Sequence, residues 1–419
     1  MVVKNMEKKY YIIITPFFPS ETSFRGPFIY DQVKALQKCT DYDIVVFKPC
    51  SHASYNRGIR SSRFRDIPIL YFPAKWTPSY IFNGFYNNHN SDEFIRSLES
   101  NHINIHDIAI IHCHTSSLGA CGIKAKEINP NITVLLQHHD KDPFGILNGK
   151  LASWKFNARY RAKKNIDIFN KVDCHICISE TVKANLLSFP AASPQETYKP
   201  YLQRMTLMKG LKPIKPKRVE VLYNGVDTEK FYKTEVNRES IFTIGCIGNF
   251  VSLKRQKDLL VALGNLYQRR KITDFRILFV GSGPMLKTCI NLSHSYGIDQ
   301  YCEFIQEMHH QQLKDFYNNL DLFVLPTEFE GFGCVCTEAA ACGVPFIIPD
   351  NQGAAEYLPL TEKELWTYKA GDTEQLANLI LRYYTTPTVQ TYTFPLDITI
   401  LIKKFIDNLT QDKSLAYNI

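Results

Sequence analysis

Glu330 and Glu338 stand eight positions apart in PTEFEGFGCVCTEAAACGVPF, residues 326–346, with Gly331, Gly333, Cys334 and Cys336 between them. Three chemistries use such a pair: metal binding, acid/base work, or a grip on a hydroxylated or anionic ligand. The C-x-C of Cys334 and Cys336 has no partner cysteines nearby, and zinc asks for about four ligands. That argues against metal and leaves the cysteines as small helix residues. Carboxylates accept hydrogen bonds from sugar hydroxyls well, which favours the grip. Two histidine pairs also qualify for chemistry: His112 and His114 in HCHTSS, and His138 and His139 in HHDKDPFG. With Asp140 or Asp142 they would make a metal site, but neighbours on a strand face opposite ways. One histidine facing a substrate, or plain structural histidines, are the other readings. Lys254 and Arg255, in GNFVSLKRQKDLL, lie just before a helix pattern, where cations suit a phosphate or simply meet solvent.

These residues need elements to hold them. Apolar runs at Tyr10–Thr15, Asp43–Phe47, Ile108–His112, Ile132–Gln137 and Cys174–Ile178 read as strands. GPFIYDQVKAL follows the first run and puts Ile29, Val33 and Leu36 on one helical face. A proline- and lysine-rich stretch, 189–217, breaks the alternation. It restarts with Ile241–Ile247, Arg276–Val280, Glu303–Ile305, Asp321–Leu325 and Pro345–Ile348. The fold class is therefore α/β, with two Rossmann-like, doubly wound parallel domains facing across a cleft. The expected domains are 1–217 and 218–394, and an amphipathic helix, 395–419, is expected to pack back on the first. In such sheets ligands sit beyond the carboxyl ends of the strands. All the candidates above fall in loops of that kind, as do GSGP at 281–284 and Gly26–Pro27, which is either an anion-contacting helix start or only a long loop.

A chain of 419 residues exceeds the roughly 250–300 at which one core stops growing, which supports two domains. The net charge of +8 fits an anionic ligand, an anionic membrane surface or plain solubility, and no motif for nucleic acid is present. The 12 cysteines lack scaffold spacing and read as reduced thiols in a cytosol. YYIII near the start reads as a buried strand rather than a signal peptide, since Pro16 interrupts it. LASWKFNARYRAKKNIDIF, 151–169, mixes Trp154, Phe156 and Tyr160 with Lys155, Arg159, Arg161, Lys163 and Lys164. It reads as a basic helix lying on anionic lipid or as a solvated helix on its own domain.

Taken together, EGFGCVCTEAAACGVP, VLYNGVDTEKF, ILFVGSGPMLK, LDLFVLP, NQGAAEYL and DCHICISE resemble the blocks of the retaining glycosyltransferases of family 4, over roughly residues 10–385. The resemblance implies the GT-B fold and a metal-independent hexosyltransferase with no cofactor. It implies a nucleotide-diphosphate sugar donor and a glycan or lipid-linked acceptor, in surface polysaccharide or glycoconjugate synthesis. It places Glu330 on the donor sugar, Glu338 on the ribose, Lys254 on the diphosphate and His139 near the reacting sugar. Phe332, Gly333 and Cys334 would offer backbone N–H groups, Gly26 would approach the diphosphate, and Ile305 would lie near the base. It also implies a cytoplasmic enzyme, peripheral on the membrane if the basic helix binds lipid. Three positions depart from the pattern. Asn249 stands where the family has arginine, with Arg255 as the candidate substitute; His138 adjoins His139; and Gln352–Gly353 replaces a glycine pair. The competing reading is a GT-B scaffold that binds without catalysis; a nicotinamide dehydrogenase would need a glycine fingerprint that is absent.

Overall fold

The computed structural model describes residues 9–20, 26–77, 82–139, 146–147, 150–151, 155–194, 196–236 and 240–411. The first sheet begins with β1 (Tyr10–Ile14), β2 (Asp43–Ser51), β3 (Ser61–Phe64), β4 (Ile67–Ala74), β5 (Ile108–Cys113) and β6 (Thr133–His138). A separate hairpin follows, β7 (Ile146–Leu147) with β8 (Lys150–Leu151). The sheet then gains β9 (Cys174–Cys177) and β10 (Val219–Val221), in the order β10-β9-β6-β5-β1-β2-β4-β3. Only β3 runs antiparallel. The inner strands are buried along their whole length because helices cover both faces: all six residues of β5 and of β6 are buried, mostly apolar but including His112, Thr133, Gln137 and His138.

The second sheet holds β11 (Phe242–Ile247), β12 (Phe275–Val280), β13 (Cys302–Ile305), β14 (Leu322–Val324), β15 (Phe346–Pro349) and β16 (Thr367–Tyr368). Its order is β13-β12-β11-β14-β15-β16. The direction of winding reverses between β1 and β5 in the first sheet and between β11 and β14 in the second. At such a reversal, neighbouring strands send their exit loops to opposite sides and leave a crevice.

Several outcomes differ from the sequence reading. β3 and β4 form an extra edge that carries no strict apolar alternation. β10 belongs to the first sheet, so that sheet continues past residue 217. Helix begins at Lys155, with Lys150–Leu151 paired as strand, so residue 151 is no part of it; Trp154, like Asp140 and Asp142, lies outside the described residues. Among the described residues no helix is long and apolar enough to cross a membrane.

Two crossings join the halves, and they lie side by side. Val226 N–H donates to Leu396 at 2.8 Å and Ile398 N–H donates to Val226 at 3.0 Å. A Cβ on Gly225 would stand 2.8 Å from the Ile398 Cα, so glycine is required at this approach. The Ile398–Gln411 helix then packs on the Pro27–Cys39 helix, burying Leu401, Ile402, Phe405 and Leu409 in the first core. A second junction is polar. Glu356, from the second half, accepts from the N–H groups of Glu180 (2.8 Å) and Thr181 (2.9 Å) and from the Thr181 hydroxyl (2.8 Å). It thereby caps the Glu180–Ser188 helix of the first half, whose own Ser179 accepts from Val182 N–H at 3.1 Å.

Glu356→Ala removes that cap and should cost about 1 kcal/mol of stability. A lower urea midpoint is the expected result; an unchanged midpoint would mean that solvent satisfies the helix end equally well.

Candidate functional site

The crevice of the second sheet is built by the loops after β11 and β14. Thr327, fully buried, donates its hydroxyl to the Phe329 carbonyl at 2.8 Å. Glu328 N–H donates to the Leu253 carbonyl at 2.8 Å. This zips the two loops together and sets Lys254 beside Glu330, where their side chains form an ion pair. Both remain about a quarter exposed, at 22% and 28%, so the pair faces the crevice. Gln352 fixes the loop from below: its side chain, fully buried, accepts from Glu330 N–H and donates to the Glu328 carbonyl at 3.1 Å. Three residues after Glu330, Gly333 adopts the left-handed conformation (φ 101°) and opens the Cys334–Ala341 helix. The first N–H groups of that helix have no partner within it, and its dipole adds positive potential there.

Glu338 lies inside this helix and is nearly buried, with 12% of its side chain exposed. Tyr317 donates its hydroxyl to one carboxylate oxygen at 2.8 Å, and His310 Nε2 lies 4.0 Å from the other. Burial pushes the Glu338 carboxyl up to about 7, while the Tyr317 bond and Lys230 oppose the rise and Asp31 adds to it. Lys230 meets His310 at 3.4 Å. Burial, together with Lys230 and Arg65, pushes His310 down to about 3, so it is neutral near pH 7. Asp31 belongs to the first half, so this charge cluster spans the two.

The histidines divide by strand alternation. His138 is fully buried and its Nε2 lies 2.8 Å from His175 Nδ1. His175 Nε2 donates to the Phe169 carbonyl at 2.9 Å, so its Nδ1 must accept, and His138 is a core donor. His139 faces the other way, half-buried, with Nε2 3.1 Å from His114 Nδ1 and its ring against Phe28. His112 and His114 are buried, and burial holds both well below the ordinary histidine range. The His139 carbonyl presses on the second half: a Cβ on Gly331 would lie 2.5 Å from it. Ser179 donates to the Gly331 carbonyl at 3.1 Å across the same seam.

Of the residues singled out in the sequence, Lys254, Glu330, Gly333 and Cys334 come together, and His139 touches the same loop through Gly331. Phe332 turns its ring into the first core, 2% exposed, and leaves only its backbone for a ligand. Gly26 is left-handed (φ 80°), and a Cβ there would meet the Phe17 carbonyl at 2.5 Å. Ile305 ends β13, its carbonyl accepting from Gly281 N–H at 2.8 Å. Asn249 is exposed. Arg255 bonds Asp258 at 2.6 Å and lies 3.7 Å from Glu328, which ties the guanidinium to acidic partners within its own half. Gln352, Tyr317, Lys230, His310 and Asp31 were not singled out as site residues. Only Gln352 carried a signal, its departure from the glycine pair.

Residues 227–392 match the family described as glycosyl transferases group 1, and residues 26–195 match glycosyltransferase family 4. Over 154 residues the chain is 30% identical to a GDP-mannose-dependent alpha-(1-6)-phosphatidylinositol monomannoside mannosyltransferase of Mycobacterium tuberculosis, a match covering 33% of this chain and 40% of that protein. It is 29% identical over 143 residues to N-acetyl-alpha-D-glucosaminyl L-malate synthase of Bacillus anthracis, covering 32% of this chain and 36% of the relative. The chain thus spans less than half the length of these curated relatives. The fold is similar to that of sucrose-phosphate synthase from Thermosynechococcus elongatus, with TM-score 0.64, 17% identity, and coverage of 98% of this chain and 97% of that one. It is also similar to HepE from Anabaena in complex with UDP and glucose, with TM-score 0.63, 15% identity, and coverage of 96% and 99%.

The raised Glu338 carboxyl has a measurable consequence. The folded chain holds this proton more tightly than the unfolded chain, whose ordinary value is 4.5. Its contribution to stability is therefore complete below pH 4.5 and is lost as pH rises through about 7. Glu338→Gln never ionises, so its stability relative to the parent should climb over that window, by up to about 1.4 kcal/mol per pH unit. His310 acts in the opposite sense, and in both chains, so the difference between their urea midpoints is the quantity to follow. Parallel midpoint curves would show that burial does not hold the proton on.

Proposed function

The chain belongs to the glycosyltransferases resembling family 4, with their GT-B fold, and we propose that it moves a sugar from a nucleotide-diphosphate sugar to an acceptor hydroxyl with retention of configuration. The observation that carries this reading is the Lys254–Glu330 pair at the strand-order reversal, beside the N-terminus of the Cys334–Ala341 helix. It sets a cation for phosphate next to a carboxylate for sugar hydroxyls.

The donor's diphosphate lies over the helix start and Lys254. Negative charge develops on that phosphate as the glycosidic bond loosens, and the helix N–H groups and the ammonium stabilise it where it grows. No metal is required in this scheme. Glu330 orients the sugar and Glu338, steadied by Tyr317, takes the ribose hydroxyls. His139 lines the opposite wall, from which the acceptor hydroxyl attacks on the leaving-group face. The names of the relatives support nucleotide-sugar use: one is GDP-mannose-dependent, and HepE binds UDP and glucose. A glycan or lipid-linked acceptor is the partner we assign. Arg255 is held by Asp258 and Glu328, so among the described residues we assign the diphosphate to Lys254, with Arg255 beside it as the candidate substitute for the arginine that Asn249 replaces.

Screening UDP- and GDP-sugars with the purified chain tests the proposal. Glu330→Ala and Lys254→Ala should each reduce donor hydrolysis or transfer at least about tenfold, equivalent to roughly 1.4 kcal/mol. Donor binding with no turnover across acceptors would instead support a scaffold.

The lipid reading rests on a second observation. The Lys155–Phe169 helix buries Ala158, Ala162, Ile166 and Phe169 and turns Phe156, Lys163 and Lys164 outward. Phe156 is 69% exposed and packs with Phe82 and Tyr160 beside an open groove of about 470 Å³. We assign this surface to anionic membrane. Flotation with phosphatidylglycerol vesicles at low salt should carry the chain upward, and Phe156→Ser with Lys163→Glu should abolish it; no flotation of the parent would overturn the assignment.

A further inference from the structure

We propose that His52, His89 and Glu93 bind one divalent transition-metal ion of the zinc class, in the first half and separate from the donor crevice. The two imidazoles turn the same atoms toward each other, with Nε2 to Nε2 at 3.2 Å. Two nitrogens bound at about 2.05 Å to a tetrahedral ion would be about 3.3 Å apart. A Glu93 carboxylate oxygen lies 4.0 Å from His89 Nε2, and the three ligand atoms all fall within 4.8 Å of one another.

The ligands sit on firm supports. His52 follows β2 directly, and the helix it opens is capped by Ser51, which accepts from Ser54 N–H at 3.1 Å. His89 and Glu93 are four apart on the Asn87–Ser100 helix, hence on one face. That helix buries Ser91, Phe94, Ser97 and Leu98, and Ser97 donates to the Tyr71 carbonyl of β4 at 3.1 Å. Asn90 clasps the Lys75 backbone with bonds of 2.8 and 3.1 Å.

The charges around the cluster are mixed. Lys75 and Arg96 add positive charge near the two imidazoles, and Glu93 adds negative charge. Arg96 bonds Glu93 Oε1 at 2.5 Å, the same oxygen that lies 4.0 Å from His89 Nε2, so the carboxylate must turn to offer the ion an oxygen that the guanidinium does not hold. All three residues are half-buried, so water can complete the coordination. Two histidines and one glutamate, with a solvent position, form a zinc-type donor set rather than a magnesium or calcium one. This assignment does not rest on the donor chemistry.

Untagged protein titrated with zinc chloride by calorimetry should take up one equivalent at this site. Cobalt in place of zinc should give d–d absorption without a thiolate charge-transfer band, which separates these ligands from the cysteines. Zinc should raise the melting temperature. His89→Ala and the milder His52→Gln should each weaken uptake at least tenfold and remove the melting shift, with circular dichroism confirming that both fold. No stoichiometric uptake by the parent, uptake unchanged in both variants, or a thiolate band would overturn the assignment.

Discussion

The constraint on which the molecule depends is a backbone contact: the His139 carbonyl of the first half lies where a Cβ of Gly331 would have to be, 2.5 Å away. That carbonyl would meet any residue but glycine there. Ser179 reaches the Gly331 carbonyl from the same side, and Gly353 closes from another, with a Cβ that would fall 2.6 Å from that carbonyl. The loop that carries Glu330 is therefore shaped by both halves. Its geometry depends on how the two halves meet, so parting them would loosen the site.

Within the TEFEGF stretch the residues divide between two tasks. Phe329 and Phe332 bury their rings in the first core, against Tyr198 and Tyr223, together with Tyr357. Burial of such side chains is worth roughly 1.5–3 kcal/mol each. Glu330, between them, turns instead toward Lys254 in its own half. Aromatic burial thus supplies the closing force and leaves the carboxylate free of that duty. Lys230, near enough to Asp31 and Glu338 to be influenced by both, adds a charged component to the same seam.

The parallel strands were legible because burial on both faces leaves short, mostly apolar runs, such as IAII in β5, VLL in β6 and ILFV in β12. β3 and β4 were not, since an edge strand such as Ser61–Phe64 is mostly exposed and follows no burial pattern. The chemistry showed the same division. Glu330, Glu338 and Lys254 could be located in the loop or helix after a recognisable strand, while the roles expected of them came from the family resemblance. Tyr317, His310 and Lys230 come from distant stretches that meet only in three dimensions, and no local spacing announces them. The choice between His138 and His139 needed the pairing of β6 with β9, which draws His138 to His175.

The Ile398–Gln411 helix completes the wall of a core whose other members are made far earlier. During synthesis the Pro27–Cys39 helix leaves the ribosome with its outer flank uncovered, and its covering helix follows only after the whole second sheet. The half made first is thus the half completed last. Domains that fold as they emerge usually close in order of synthesis. Here the second sheet can finish while the first still waits, so the interval before residue 398 appears is when the nascent chain most needs protection.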